Sequence, residues 1–180
     1  MELSKVIKKK EQSLDKFLDH IESLYNFAHH LTDQDKGAQD LVNETYLKAL
    51  QYLDNFKPDT NTRSWLFRIM YSVFMDSHRK KVSVTPVTHQ TIAPDDINSE
   101  STIDMRAFTH DASDQVKSAF NGLEPEIRSA LYLKEFENLS YDEISIILDA
   151  HVSTIKSRIA KGRSVVRNQL VASGYFSINN

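Results

Sequence analysis

Apolar residues recur every three or four positions over most of the chain, and this spacing predicts amphipathic helices. The first stripe runs from about Ser13 to Leu31, with Leu14, Phe17, Leu18, Ile21, Leu24, Tyr25 and Ala28 as its members. The second stripe follows a break at residues 32–35 and comprises Ala38, Val42, Thr45, Tyr46, Ala49, Leu53 and Phe56. The third comprises Trp65, Leu66, Ile69, Met70 and Val73. The pattern therefore predicts three core helices in the first half of the chain.

The polar face of the second predicted helix contains one large apolar residue, Leu47. A single exposed leucine usually has no function. Because Asp40, Asn43 and Glu44 lie on the same face, Leu47 is alternatively the apolar centre of a docking patch with a polar rim. The periodicity alone does not separate these two interpretations.

The third predicted helix carries aromatic and basic side chains outside its core stripe. The large apolar residues off the stripe are Phe67, Tyr71, Phe74 and Met75, and the basic residues beside them are Arg63, Arg68, Arg79, Lys80 and Lys81. Asp76 is the only acid between residues 61 and 81. Such a surface suits single-stranded nucleic acid, because cations hold the backbone and unstacked bases lie on the rings. Alternatively, some of these rings pack on the first helix.

Residues 139–170 predict two helices joined by a tight turn at Asp149–His151. Ser140 and Glu143 have the spacing of a capping box, which marks the start of a helix. The apolar positions of the two helices are Ile144, Ile147 and Leu148, and then Val152, Ile155, Ile159 and Val166. This arrangement is a helix-turn-helix, whose second helix reads DNA in known proteins. Helical patterns at residues 107–121 and 123–137 are predicted to support it.

Composition agrees with an all-α protein that binds nucleic acid. The chain has only four Gly and four Pro, which favours helices over sheets and turns. Its formal net charge is −3, but residues 150–180 hold five basic side chains and no acid. Positive charge is therefore concentrated on the second helix of the helix-turn-helix, where DNA would lie. Residues 82–106, rich in Pro, Ser, Asn and Asp, predict a flexible linker.

The sequence contains no pattern that predicts catalysis, a cofactor or a metal site. There is no Cys, which removes disulfides and thiolate chemistry and fits a reducing cytoplasm. His20, His29 and His30 lack the spacing of a metal-binding helix, and no phosphate-binding loop or nucleophile–base set occurs. No apolar run approaches the roughly 18 residues that span a bilayer. We expect a cytoplasmic protein with no signal peptide and no membrane insertion.

Three blocks of the sequence together resemble one known family. They are DLVNETYLKAL, RSWLFRIMYSVFMDSHRKK and LEPEIRSALYLKEFENLSYDEISIILDAHVSTIKSRI. In order and spacing they are similar to the signature blocks of the group 4, extracytoplasmic-function (ECF) RNA polymerase sigma factors. The resemblance implies an all-α fold with two small helical domains, a region 2-like bundle at 12–81 and a region 4-like helix-turn-helix at 107–172. The linker at 82–106 would join them, and its acidity would mimic nucleic acid or simply keep the tether soluble.

The resemblance also implies a role for particular residues. The face that docks on core polymerase would be formed by Asp40, Asn43, Glu44 and Leu47, with Asn43 replacing the family's usual Gln. The promoter −10 element would be opened and read by Arg63, Trp65, Arg68, Tyr71, Ser72, Asp76, Arg79, Lys80 and Lys81. Ser72 replaces the family's usual Asn, which changes the expected base preference.

The second helix of the helix-turn-helix would read the −35 element in the major groove. The expected base-edge residues are Ser153, Thr154, Ser157, Arg158 and Lys161, and the expected phosphate contacts are Lys156, Arg163 and Arg167. The turn lacks the glycine that is common in the family. We therefore expect Asp149 to cap the second helix.

The leading interpretation is a sigma factor that binds bacterial core RNA polymerase and directs initiation at promoter DNA, under the control of an anti-sigma factor. Two alternatives remain from the residues themselves. One is a helix-turn-helix regulator that acts without polymerase, and the other is an adaptor that binds polymerase without reading promoters. The aromatic and basic third helix favours the first interpretation, because neither alternative needs a surface that opens DNA strands.

Overall fold

The computed structural model describes residues 13, 15–32, 34–53, 56, 61–82 and 114–174, and every regular element in those residues is a helix. The chain divides into two compact units, Met1–Val87 and Thr88–Asn180. This confirms the prediction of an all-α chain with two helical domains. Residues 83–106 of the predicted linker, together with Leu14, lie outside the described residues.

The first unit contains α1 (Ile21–Thr32), α2 (Asp35–Gln51) and α3 (Thr62–Val82). A helical turn at residues 15–18 precedes α1. The single helix predicted from Ser13 to Leu31 is therefore wrong in one respect, because a turn at residues 19–20 interrupts it. At that turn the His20 backbone N–H donates to the Phe17 carbonyl over 3.2 Å, a bond that spans three residues instead of the four of an α-helix.

The interruption changes which apolar residues reach the core. Leu18 is 54% exposed and Ile21 is 48% exposed, although one uninterrupted helix would have buried both. Phe27, which the predicted stripe omitted, is completely buried. The buried residues of α1 are therefore Leu24, Phe27, Ala28 and Leu31. The Tyr46 hydroxyl holds the segment before α1 by donating to the Phe17 carbonyl over 2.8 Å.

Aromatic rings fill the centre of the first unit. Phe17, Phe56 and Trp65 form one cluster, with centroid separations between 4.8 and 5.8 Å. Phe27 and Phe67 meet edge to face at 5.3 Å. These separations are typical of favourable aromatic pairs.

The second aromatic stripe of α3 therefore belongs partly to the core. Phe67 and Tyr71 are buried, while Phe74 and Met75 are half-buried. The apolar stripe predicted for α3 was too narrow. Helix α3 packs against both α1 and α2 and must present a broad apolar face to them. The alternative that these rings pack on the first helix is correct for Phe67, whose ring meets Phe27 of α1.

The second unit contains α4 (Asp114–Asn121), α5 (Pro125–Glu135), α6 (Tyr141–Leu148) and α7 (Val152–Ala172). Helix α5 is buried continuously from Ile127 to Leu133, and α7 packs against α4, α5 and α6. The buried residues of α7 are Ile155, Ile159, Gly162, Val166 and Leu170. The predicted stripe is thus confirmed except at Val152, which is half-buried.

The helix-turn-helix consists of α6, a turn and α7. The capping box at Ser140 is present: the Ser140 N–H donates to Glu143 Oε2 over 2.9 Å, and the Glu143 N–H donates to Ser140 Oγ over 3.2 Å. Asp149 ends α6 in the left-handed conformation, with φ 50° and ψ 51°. Asp adopts this conformation more readily than most residues do, so the turn forms without glycine. The expectation that Asp149 caps α7 is wrong, because His151 occupies that position and its side chain makes no capping bond.

We predict that Ser140→Ala loosens the start of α6. The lost cap costs about 1 kcal/mol, which corresponds to roughly fivefold faster hydrogen exchange of the α6 amides through local opening. Ser164→Ala, at an exposed position of α7, is the matched control and should change little. Equal exchange in α6 for the wild type and Ser140→Ala would contradict the prediction.

Candidate functional site

One face of α2 combines acidic residues with an exposed leucine. Asp40, Asn43, Glu44 and Leu47 are all exposed, and Leu47 is 62% exposed. Their spacing of three and four places them on one side of the helix. The residues buried on the other side are Ala38, Leu41, Val42, Thr45 and Ala49. The fold therefore brings the four sequence-predicted residues together as one patch, which we call the α2 patch.

A shallow groove of about 320 Å³ lies between α2 and α3. The residues that line it are Lys48, Tyr52, Trp65, Arg68, Ile69, Ser72 and Asp76. Four of them were predicted from the sequence to contact −10 DNA, namely Trp65, Arg68, Ser72 and Asp76. Arg79 is exposed on the same helix. The groove therefore brings together four of the nine predicted −10 residues.

Two of the predicted −10 residues lie elsewhere. Tyr71 is only 7% exposed, so its ring belongs to the core and is not available for the DNA contact that the sequence predicted. Arg63 does not line the groove, and its guanidinium lies 5.6 Å from the centroid of the Phe67 ring. Burial, and then the positive charge of Arg63, lower the pKa of His20 below its ordinary value. The side chains of Lys80 and Lys81 lie outside the described residues.

The start of α7 presents small polar and basic side chains. Ser153, Lys156 and Ser157 are exposed, and Thr154 and Arg158 are half-buried. Ile155 and Ile159 point into the core from between them. Small side chains at the start of a helix allow its backbone to approach a base edge or a phosphate closely. This end of α7 therefore has the shape and polarity of a major-groove reader.

Arg163 forms a salt bridge within the second unit. Its Nη2 and Nε donate to Oε1 of Glu135 over 2.6 and 2.8 Å, and the Glu135 side chain is only 12% exposed. A phosphate contact by Arg163, predicted from the sequence, would have to replace this pair and leave Glu135 without its cation. The prediction that Arg163 contacts phosphate is therefore corrected: Arg163 joins α7 to α5. Lys161 lies 3.5 Å from Glu124, but that pair is well exposed and weak.

Sequence reasoning missed a cluster of two lysines around Tyr141. The Lys134 and Lys156 ammonium groups lie 4.8 and 5.5 Å from the centroid of the Tyr141 ring. Lys134 also donates to the Leu139 carbonyl over 3.1 Å. The cluster places positive charge beside the start of α6 and the start of α7. No local pattern could have found it, because its three residues come from three helices.

The part of the chain that the structure describes contains neither a metal-binding cluster nor a membrane-spanning helix. Those residues contain no group of three or more His, Asp or Glu side chains that could hold a metal ion. None of the described helices is long and apolar enough to cross a membrane.

Comparisons with known proteins agree with this geometry. Residues 17–83 match the family model of sigma-70 region 2, and residues 113–165 match that of sigma-70 region 4. The ECF RNA polymerase sigma factor EcfG of Rhodopseudomonas palustris is 30% identical over 162 residues, which cover 89% of this chain and 86% of the relative. The ECF RNA polymerase sigma factor SigE of Mycolicibacterium smegmatis is 30% identical over 157 residues, and the match spans 84% of this chain but only 58% of that relative.

A solved structure has a similar fold. The sigma factor RpoE of Bartonella quintana, crystallised in complex with the anti-sigma factor NepR, is 26% identical, with a TM-score of 0.66. The match covers 87% of this chain and 94% of that one.

We predict that Arg163→Ala acts on stability more than on DNA binding. Charged hydrogen bonds of this kind contribute ~1–2 kcal/mol when partly exposed, so hydrogen exchange in α5 and α7 should accelerate by roughly five- to thirtyfold. Arg167→Ala, at an exposed position of α7, should weaken DNA binding and leave exchange unchanged. If Arg163→Ala behaved as Arg167→Ala does, Arg163 would be a phosphate contact after all.

Proposed function

The chain belongs to the extracytoplasmic-function sigma factors, and from this premise we propose that it binds bacterial core RNA polymerase and directs initiation at promoters with −10 and −35 elements. The observation that carries the proposal is the separation of three polar surfaces on three helices. These are the α2 patch, the groove between α2 and α3, and the start of α7. The first suits binding to polymerase, the second recognition of the −10 element and the third recognition of the −35 element.

The α2 patch is the proposed contact with polymerase. Leu47 supplies an apolar centre that a partner can cover, and Asp40 and Glu44 supply negative charge at its rim. Interfaces of this design draw most of their affinity from a buried central residue and their orientation from the charged rim. The family resemblance implies that the partner of the α2 patch is the clamp helices of the polymerase largest subunit. Asn43 keeps the hydrogen-bonding groups of an amide at the position between the two acids.

The groove between α2 and α3 is the proposed site of −10 recognition. Opening a duplex and extracting a base costs a few kcal/mol, and stacking on an aromatic ring returns ~1–3 kcal/mol per base. Trp65 supplies a half-buried ring, Arg68 and Arg79 supply positive charge, and Ser72 and Asp76 supply polar groups. Lys80 and Lys81 are proposed from the sequence alone to extend the contact with the backbone. Tyr71 is withdrawn from this set because it is buried.

The start of α7 is the proposed reader of the −35 element. Ser153, Thr154, Ser157, Arg158 and Lys161 are the proposed base-edge contacts, and Lys156 and Arg167 the proposed phosphate contacts. The buried stripe of α7 fixes the helix on α5. Base-reading side chains therefore project from a rigid support rather than from a loop.

This role requires no bond-making step and no cofactor, and we place the protein in the cytoplasm, where RNA polymerase acts. The proposed domains are residues 12–81 and 107–172, joined by the linker at 82–106. The Bartonella relative of similar fold was crystallised with an anti-sigma factor, which supports the proposal that such a protein also controls this chain.

Reconstitution with purified bacterial core polymerase tests the proposed function. Transcription from a library of promoter fragments should select a subset that shares −35 and −10 elements. Binding to polymerase without selective initiation would indicate an adaptor. Binding to duplex DNA by folded protein that does not bind polymerase would indicate a helix-turn-helix regulator.

We predict that Leu47→Asp weakens binding to core polymerase by at least about tenfold, because it places a charge at the apolar centre of the α2 patch. Leu18→Asp changes a leucine of comparable exposure (54%) outside this patch and should leave binding intact. Binding is measured with labelled protein and purified core polymerase. Equal loss in both variants would indicate general damage to the first unit.

We predict that Arg158→Glu, in contrast to Leu47→Asp, impairs transcription and not binding to core polymerase. Reversing this charge at the DNA-facing end of α7 should lower promoter-dependent transcription by roughly tenfold to a hundredfold while core binding is unchanged. Lys117→Glu, an exposed change of the same charge in α4, is the control. The assignment fails if Arg158→Glu and Leu47→Asp give the same pattern in the two assays.

A further inference from the structure

The helical turn before α1 contacts Trp65 through one aromatic ring. Phe17 is completely buried, and its ring centroid lies 5.5 Å from that of Trp65, which lines the groove between α2 and α3. We infer that residues 15–18 form a strap that positions Trp65: Phe17 and Tyr46 hold the strap closed, and it opens about a hinge at residues 19–20. This inference rests on the proposed function, and it adds positioning residues that lie outside the groove.

A single buried ring attaches the strap to the rest of the first unit. Of residues 15–19, Phe17 alone is buried, and the four others are exposed. A segment with few buried contacts opens at a lower free energy than the core of its domain. We therefore expect the strap to open and close while α1, α2 and α3 stay packed together.

Two hydrogen bonds converge on the Phe17 carbonyl and keep the strap closed. The Tyr46 hydroxyl donates to it over 2.8 Å, and the His20 backbone N–H donates to it over 3.2 Å. The first donor belongs to α2 and the second to the hinge, so this carbonyl joins the strap to both. Burial raises the pKa of the Tyr46 hydroxyl above its ordinary value, which keeps the hydroxyl protonated as a donor.

Trp65 depends on the strap for one of its two aromatic supports. Its ring centroid lies 4.8 Å from that of Phe56 and 5.5 Å from that of Phe17, and the indole is tilted against both rings. When the strap opens, the indole loses the Phe17 ring and can turn into the space that the ring leaves. A binding surface is precise only when packing locks the side chains that form it. The strap therefore controls how well the groove is formed.

The hinge carries a titratable side chain, His20. Burial, and then the positive charge of Arg63 at the start of α3, lower the pKa of His20, whereas Asp19 beside it acts in the opposite direction. The closed strap therefore disfavours protonated His20. In the open strap the pKa returns toward its ordinary value of about 6.5. The closed form is thus fully stable above that pH and loses stability as the pH falls below it.

Hydrogen exchange of the full-length protein tests whether the strap opens by itself. Tyr46→Phe removes one bond to the Phe17 carbonyl, so the His20 amide should exchange about fivefold faster while the amides of α1 keep their rates. Tyr25→Phe is the matched control, because the Tyr25 hydroxyl makes only a long, exposed bond of 3.5 Å to Asp35. This variant should leave exchange at His20 unchanged.

Fluorescence and DNA binding test whether the strap positions Trp65, the only tryptophan in the chain. Phe17→Leu should increase acrylamide quenching of Trp65. In holoenzyme it should weaken binding about tenfold to a promoter template whose non-template strand is single-stranded across the −10 element. Its affinities for core polymerase and for a duplex with only the −35 element should match the wild type. Leu18→Ala, which changes an exposed residue of the strap, is the control and should change none of these values.

A pH profile tests the hinge on the free protein. Quenching of Trp65 in the wild type should rise as the pH falls below about 6.5. In His20→Gln, which cannot be protonated, the profile should be flat. His29→Gln changes an exposed histidine of α1 beyond the hinge and should follow the wild type. A wild-type profile in His20→Gln would overturn the hinge and with it the strap.

Two further outcomes would also overturn the inference. One is equal acceleration of exchange in the strap and in α1 after Tyr46→Phe, because the segment would then be ordinary core that opens only with its domain. The other is a folded Phe17→Leu variant with wild-type quenching and wild-type affinity for the −10 template. If the wild-type chain fails to bind core polymerase or to select promoters, the proposed function is wrong, and the exchange and fluorescence results still decide whether the strap exists.

Discussion

The second unit depends on the close approach of α7 to α5 at Gly162. A Cβ atom at this glycine would lie 3.1 Å from side-chain carbons of Ile127 and Leu131, so only glycine lets the two helices pack at this distance without a shift. Helix α5 is buried from Ile127 to Leu133, and the stripe that α7 buries, which includes Gly162, fixes the orientation of α7. The proposed role of α7 in reading DNA needs that rigidity, because base contacts tolerate little displacement. The Arg163–Glu135 pair, one residue further along α7, reinforces the same contact at its edge.

In the first unit, aromatic rings supply much of the buried area. Three helices of moderate length bury too little area if only narrow stripes meet, and small units are the ones for which every buried group matters. Helix α3 therefore turns Phe67 and Tyr71 inward as well as Leu66 and Met70. What remains outside on α3 is polar and basic, with Trp65 half-buried at the boundary. The same demand for burial thus creates the core and leaves the groove beside it.

Charge is divided between the functional surfaces in a way that the net value of −3 conceals. Acids lie exposed on the α2 patch, whereas cations gather along the groove and at the start of α7. Some of the cations have partners inside the fold: Lys48 pairs with Asp76, and Arg163 pairs with Glu135. Counting basic residues along the chain therefore overestimates the positive charge that these surfaces present.

The sequence by itself determined the helical class, the helix-turn-helix with its capping box, and the α2 patch. These features rest on local spacing, which the backbone geometry of a helix converts directly into shared faces. Only the tertiary structure decided which rings on α3 are buried, because a helix packed on two neighbours hides more of its surface than its own period reveals. It also decided that Asp149 closes α6 rather than opening α7, and that Arg163 meets Glu135. Lys48 and Tyr52 became visible as groove residues for the same reason. Lys48 reaches Asp76, and Tyr52 lines one groove with Trp65, only when α2 and α3 pack together, and no spacing within one helix encodes a contact between two.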